Sequence, residues 1–489
     1  MNLQHRSKIT RRSFIGAVAA GASGAMVIAP ARTGEPRPGH LKFSCDAPVA
    51  GAYDVVVCGG GPSGVAAALA ARRAGLSVLL VEGQGQLGGM GVSALVSHWL
   101  GGRTSDCRQW VVGGIFRSLV EGAAERGIAL IPKPTGLKYQ PHGWFNGLLA
   151  GIPFDPYGMA AYLDERVAKA GVEVRLLTHF VDAVVEANRI THLLLFNKSG
   201  MTAVKAKAVV DATGDADVAA RCGCEVVQGR EEDGLMTPAS LIFHVSHVDQ
   251  DTLAAAIEKD KSPRFNEKIA ALRKSGEWTF PYDIFISVQL QEKGTMMINT
   301  IRLVGINGTD GASVSEGMMR GRAEVQTLFA LMRKHFPGFA QARLKTVAPL
   351  LGVRETRRIR GVATLSLEAV AQNKAFDDII GLSTYGWDLP DPKRPSDNPS
   401  HGRKPPVVPI PYRTIVPRGV TNLICPGRAL SVERPVLGPL RVMAPCMAMG
   451  EAAGQAARQA VRDNRSFAEV DTARLRRELT ENNAVVEWK

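Results

Sequence analysis

Beyond its first 31 residues the sequence has no apolar run long enough to cross a bilayer, no internal repeat and no low-complexity tract. Those absences leave no second candidate for a spanning helix and argue against a solenoid or a propeller. Cysteine is also scarce. Cys45, Cys58, Cys107, Cys222, Cys224, Cys425 and Cys446 are odd in number and irregularly spaced, which is not a disulfide framework. Cys222-Gly-Cys224 invites a redox reading, but a two-residue separation strains a direct bridge. Small buried thiols are the plainer account. No set of Cys and His stands at zinc spacing, so no metal site is expected. The formal charge is +13, yet the basic residues are dispersed, with one local enrichment from Arg343 to Arg360. Without a basic stripe interleaved with aromatics, nucleic acid is not an expected partner, and a solvated basic surface is the plainer reading.

What is present is ordinary globular composition, 45% hydrophobic and 21% charged, in 489 residues that can bury a large core in two lobes. Residues 1–31 read as an address rather than as structure. Arg6, Lys8, Arg11 and Arg12 form a basic start, and Phe14 to Ile28 is a weakly apolar, Gly/Ala-rich segment. Ala29-Pro30-Ala31 offers a small-x-small cleavage site. A membrane anchor is the alternative, but the segment falls short of the roughly 20 apolar residues a span needs. The run Thr10-Arg11-Arg12-Ser13-Phe14-Ile15 resembles the twin-arginine export signature. That resemblance implies the twin-arginine export machinery as a partner, a periplasmic or otherwise exported protein, and no stable membrane span after cleavage. Because this route carries folded chains, it also implies a cofactor inserted beforehand. Residues 32–50 read as a linker.

Asp54 to Cys58 is the short apolar run of a buried parallel strand, and it enters Gly59-Gly60-Gly61-Pro62-Ser63-Gly64 directly. An Ala-rich helical stretch, Val65 to Ala74, follows with Gly75 as its cap. A second strand, Ser77 to Val81, then ends in Glu82 and Gly83. Each part has a physical task. Gly59 permits the tight turn, Gly61 lets backbone approach a pyrophosphate, and Gly64 lets helix and strand pack closely. Pro62 falls where a missing N–H costs nothing, and the helix start offers free N–H groups to phosphate beside Ser63. Glu82, 23 residues past Gly59, is placed to bind a ribose. A dinucleotide site is predicted; this motif alone does not choose the dinucleotide.

Four further segments carry a resemblance. They are Gly88-Gly89-Met90; Ala208 to Asp215, with Ala212-Thr213-Gly214-Asp215 at its end; Asn422 to Arg428, with Gly427-Arg428; and Arg441 to Gly454, with Pro445 and Met447. In that order, from Asp54 to about Ala457, the chain resembles the two-dinucleotide-fold flavoproteins, the superfamily of glutathione reductase and the fumarate reductase flavoprotein. It looks most like the branch of FAD-dependent oxidoreductases. The resemblance implies FAD as cofactor and an α/β fold: a Rossmann-like domain with a central parallel sheet and a β-meander, plus an inserted mixed α+β cap. It implies backbone near Val181 at the adenine, Ala-Thr-Gly close to the cofactor, and a closing helix whose N-terminus faces the flavin ring. Arg428 departs from the acid of better-known members. The domains then fall at 51–225 and 406–465 for the cofactor, 226–405 for the substrate cap, and 466–489 for a helical tail.

Within the cap, Gly352 to Gly361 resembles a family signature. Arg354 or Arg357 could hold a carboxylate bidentately near the flavin; an ion-pair cluster with Glu355 is the plainer alternative. His98 could serve as a base or carry a covalent flavin link, or could be a satisfied structural histidine. His142, Tyr385 and His401 are weaker candidates. The expected activity is hydride transfer between a small organic substrate and flavin N5, with oxygen, a quinone or a cytochrome taking the electrons. A fumarate-type reductase fed by a cytochrome and a flavin electron-transfer subunit without a substrate of its own are the alternatives.

Overall fold

The computed structural model describes residues 41, 44–133, 150–394, 396 and 407–488. The leader, His142 and His401 lie outside the described residues.

The apolar run before the glycines is the end of a longer strand, Val49–Cys58, whose last four residues are buried. It pairs in parallel with Val78–Val81 on one side and with Gly200–Asp211 on the other. Glu173–Arg175 joins beyond the first neighbour and Leu423–Ile424 beyond the second, again in parallel. These five strands share one carboxyl edge, where open α/β sheets bind their ligands. Between the first two runs the helix Pro62–Arg73, started by proline and followed by Gly75 at φ +79, whose N–H returns to the Arg72 carbonyl.

Gly200–Asp211 serves two sheet regions. Its first half pairs antiparallel with Arg189–Asn197, which pairs with His179–Glu186. Its second half enters the parallel sheet. The turn at Asn197 to Gly200 closes the hairpin, so the expected meander is present.

The second lobe is an antiparallel sheet in the order Ser287–Gln289, Met296–Ile298, Phe243–Ser246, Arg343–Val347. The helices Gln250–Asp260, Asn266–Lys274 and Gly311–His335 bury their apolar faces in the same core. At its centre Phe285 stacks on Phe336 with ring centroids 4.5 Å apart. This core draws on residues between Ala239 and Leu351, joined by Leu95 from the first lobe. Leu365, Val370, Ile380 and Trp387 already belong to the first core, so the chain returns well before the expected boundary at 405. Leu475, Leu479 and Val486 of the tail also lie in that core.

The closing helix, Met443–Arg462, is buried along most of its length and crosses Pro62–Arg73. Gly450 and Gly454 make the crossing possible: an added Cβ would lie 2.0 Å from the Ser63 carbonyl oxygen and 2.2 Å from that of Ala67. Two helix N-termini are thereby held side by side at the carboxyl edge of the sheet. No described helix is long and apolar enough to cross a membrane.

Candidate functional site

A cavity of about 900 Å³ runs from the carboxyl edge of the parallel sheet into the second lobe. Its first end is the glycine turn. Gly59 has φ +103, and a Cβ there would lie 2.4 Å from the Ala212 carbonyl oxygen, so the turn admits only glycine. Gly61 is open instead: a Cβ would meet nothing nearer than the Gly89 Cα at 3.9 Å. The helix behind it has no side-chain cap, which leaves N–H groups directed at whatever occupies this cradle. Glu82 accepts hydrogen bonds from the backbone N–H of Gly60 at 2.6 Å and of Gln84 at 2.7 Å. Burial pushes its carboxyl up, and these N–H groups work against that shift. The acid therefore fixes the turn as well as lining the cavity. An open glycine, free helix N–H groups and an acid beyond them fit the pyrophosphate and ribose of FAD.

The middle of the cavity is built from Gly89, Met90, Thr213, Asp215, Arg428 and the start of the closing helix at Val442, Met443 and Cys446. That helix also lacks a side-chain cap. Arg428, the departure noted above, donates to the Asp215 carboxylate and at 2.8 Å to the Val353 carbonyl, so its charge is matched locally. Thr356 Oγ1 donates to the same Asp215 oxygen at 2.6 Å. Burial holds the Cys446 thiol up at about 12, and the Cys224 thiol likewise, so neither supplies a thiolate.

At the far end the second lobe contributes Arg264, Arg302 and Arg354, and the first contributes Arg441. Among the described residues Asp388 is the acid there. It accepts from Arg441 Nη2 at 2.9 Å and from the Tyr385 hydroxyl at 2.9 Å. Burial would raise its carboxyl, but Arg441, Arg354, the Tyr385 hydroxyl and Arg302 outweigh burial and hold it at about 2. Burial and Asp388 keep Tyr385 protonated. Burial, reinforced by Arg302 and Arg441, drives the Arg354 pKa down. Ile242, Ile284, Ile286, Val288 and Met297 line the wall beside these charges.

The residues picked from sequence distribute as follows. Gly59, Gly61, Pro62, Ser63, Glu82, Gly83, Gly89, Met90, Val181, Ala212 to Asp215, Arg428 and Arg441 line the cavity, as do His98, Arg354, Arg357 and Tyr385. Gly64, Gly88, Gly427, Pro445 and Met447 do not line it. Gly64 is pressed against the Gly59 carbonyl, and Gly427 against Ser63. Gly88 donates its N–H to the Gly60 carbonyl at 2.8 Å. Pro445 and Met447 flank Cys446 at the start of the closing helix and are buried away from the cavity. The signature around Glu355 divides. Both arginines line the cavity, but Arg357 donates to Asp217 at 2.8 Å and Arg354 to the Pro238 carbonyl at 2.8 Å. Glu355 pairs with neither; its partners are Arg358 and Arg434. His98 is buried on a two-residue strand opposite Pro153, its ring against Gly151.

Sequence reading missed Arg264, Arg302 and Asp388. Arg302 carried a signal, being a charge inside the apolar run Ile301-Arg302-Leu303. Arg264 and Asp388 carried none: Arg264 follows Ser262-Pro263 in a stretch that reads as surface, and Asp388 stands between Trp387 and Leu389 without a recognisable motif.

A family model described as FAD dependent oxidoreductase matches residues 54–479. Digeranylgeranylglycerophospholipid reductase 1 of Methanopyrus kandleri is 31% identical over 167 residues, covering 33% of this chain and 40% of that protein. The Methanosarcina acetivorans reductase of the same name is 27% identical over 164 residues, 33% of this chain and 38% of that one. The matched part is thus about two fifths of those relatives' length. Among solved structures, a geranylgeranyl bacteriochlorophyll reductase-like protein of Thermoplasma acidophilum has a TM-score of 0.44 at 14% identity, covering 88% of this chain and 84% of that one. The p-nitrophenol 4-monooxygenase of Pseudomonas putida has a TM-score of 0.47 at 14% identity, covering 86% and 82%.

Proposed function

The chain belongs to the FAD dependent oxidoreductase family, and we propose that it exchanges a hydride between a small organic substrate and flavin N5, passing electrons to oxygen, a quinone or a cytochrome. The observation that carries this reading is the continuity of one cavity from the glycine turn to a charged chamber in the second lobe. A carrier without a substrate has no need of that chamber. FAD, when bound, supplies the two-electron centre. The protein's own residues do the rest. Gly61 and the start of the helix Pro62–Arg73 cradle phosphate, and Glu82 holds the turn in place. The uncapped start of the closing helix brings positive potential to the middle of the cavity. The second lobe supplies the wall of the chamber through Ile242, Ile284 and Met297.

The reading is tested by adding organic donors anaerobically to the FAD-loaded protein and following its visible spectrum. Bleaching by a donor supports it; reduction by a reduced cytochrome alone sinks it. We also read the enzyme as exported in folded form, on the twin-arginine-like leader and its cleavage site. Replacing Arg11 and Arg12 with Lys should retain the protein in the cytoplasmic fraction, and unchanged fractionation would refute export by this route.

A further inference from the structure

Among the described residues of the far chamber, the guanidinium groups of Arg302, Arg354 and Arg441 stand beside one carboxylate, Asp388. Arg302 and Arg354 are only 5% and 8% exposed. Burying cations without matching anions is costly, so such an arrangement is built for a ligand that brings negative charge. The flavin phosphates do not meet that need, since their cradle is the glycine turn at the other end of the cavity. Two donors here have no acceptor among the described residues. Among the described residues the Nε atoms of Arg302 and Arg441 are buried and make no hydrogen bond. The remaining contacts of Arg302 and Arg354 fix the groups in place: Arg302 Nη1 donates to Ser240 Oγ at 3.1 Å and to the Asn299 carbonyl at 2.9 Å. Arg354 Nη2 reaches Asn299 Oδ1 at 3.3 Å. Tyr385 and Arg441 donate to the Asp388 carboxylate, whereas Arg302 and Arg354 make no ion pair among the described residues and can still meet a ligand.

We propose that this arginine chamber binds the carboxylate of the substrate, and that the enzyme acts on an organic acid whose hydrocarbon or aromatic body lies on the Ile242, Ile284 and Met297 wall. The planar guanidinium fork suits a carboxylate better than a point charge does. The inference rests on the hydride-exchange reading for the word substrate; the anion chamber itself does not.

The test uses the FAD-loaded enzyme and four probes, hexanoate and benzoate with their uncharged counterparts hexanamide and benzamide. Binding is read by calorimetry and by perturbation of the flavin spectrum. The acids should bind saturably, and the amides weaker by about tenfold or more, the difference one charge-assisted contact makes. Arg302→Met should weaken acid binding by a similar factor with the amides unmoved, and Arg302→Lys should recover part of it. Equal binding of acids and amides, or no acid binding at millimolar concentration, overturns the proposal. That comparison is made on the unaltered enzyme, so it decides even if Arg302→Met does not fold. An acid that binds without reducing the flavin under any condition upholds the chamber and removes the hydride reading. A flavin reduced by neutral donors while acids fail to bind does the reverse.

Discussion

Gly450 of the closing helix rests on the backbone of Ser63: a Cβ built on it would lie 2.0 Å from the Ser63 carbonyl oxygen. Ser63 is in the first turn of the helix that faces the phosphate cradle, and Gly450 lies in the helix whose start reaches the middle of the cavity. One backbone contact therefore sets the spacing of both ends of the cofactor site.

Gly450→Ala should consequently cost about 1–3 kcal/mol of stability, the usual penalty for overpacking against atoms that cannot yield. FAD affinity should fall with it. Thermal unfolding of the loaded and unloaded variant checks both; a variant with unchanged melting and full flavin content would contradict the contact's role.

Glu82 holds the glycine turn through two backbone N–H groups. Glu82→Gln keeps one acceptor oxygen and turns the other into a donor facing an N–H. Hydrogen bonds to a charged group are worth about 1.5–3 kcal/mol, so FAD affinity should drop roughly 10- to 100-fold. Ultrafiltration followed by assay of released flavin measures this. A loss confined to dinucleotide binding, with the apoprotein's stability intact, would show that the ribose contact matters more than the turn.

These glycines and this acid were legible because they lie within one short segment and their spacing is dictated by a strand, a turn and a helix. The arginine chamber was not, because Arg264, Arg302, Arg354 and Arg441 are brought together only by the packing of two lobes. Their segments are separated by long stretches of chain, and nothing local distinguishes a buried arginine from a solvated one except apolar neighbours such as Ile301 and Leu303. The Gly450–Gly454 spacing could be seen in sequence, but not which helix it would meet. The early return of the chain to the first core, at Leu365 rather than after 405, was hidden by the Pro-rich stretch, which looked like the boundary.

Glu355 is a buried carboxylate holding two arginines, Arg358 at 2.9 Å and Arg434 at 2.8 Å, while also accepting from the Thr237 N–H at 2.9 Å. Glu355→Ala removes the anion and strands both cations. A loss of about 3–5 kcal/mol is expected, as when one partner of a buried pair is deleted. Denaturant unfolding checks it, and a cost below about 1 kcal/mol, the level of an exposed pair, would contradict the burial of this cluster.

Asp388 gives the fold an acid-sensitive contact. Its carboxyl sits at about 2 in the folded state against an ordinary value of 3.8. A depressed carboxyl stabilises the fold above its unfolded pKa, and that contribution is lost as pH falls from about 4 through about 2. Asp388→Asn should be less stable near neutrality and should show a flatter loss of stability over that acid window. Denaturant melts at stepped pH compare the two; parallel curves would mean that Asp388 is not held ionised by the arginines.

The most direct test of the account as a whole is anaerobic mixing of the FAD-loaded enzyme with a panel of small organic acids while the flavin absorbance is followed. The account predicts saturable bleaching of the oxidised flavin by at least one acid, abolished or strongly slowed in Arg302→Met protein that retains its flavin. A flavin that stays oxidised with every acid, yet is reduced promptly by a reduced cytochrome, would contradict it and leave an electron carrier with an unexplained chamber.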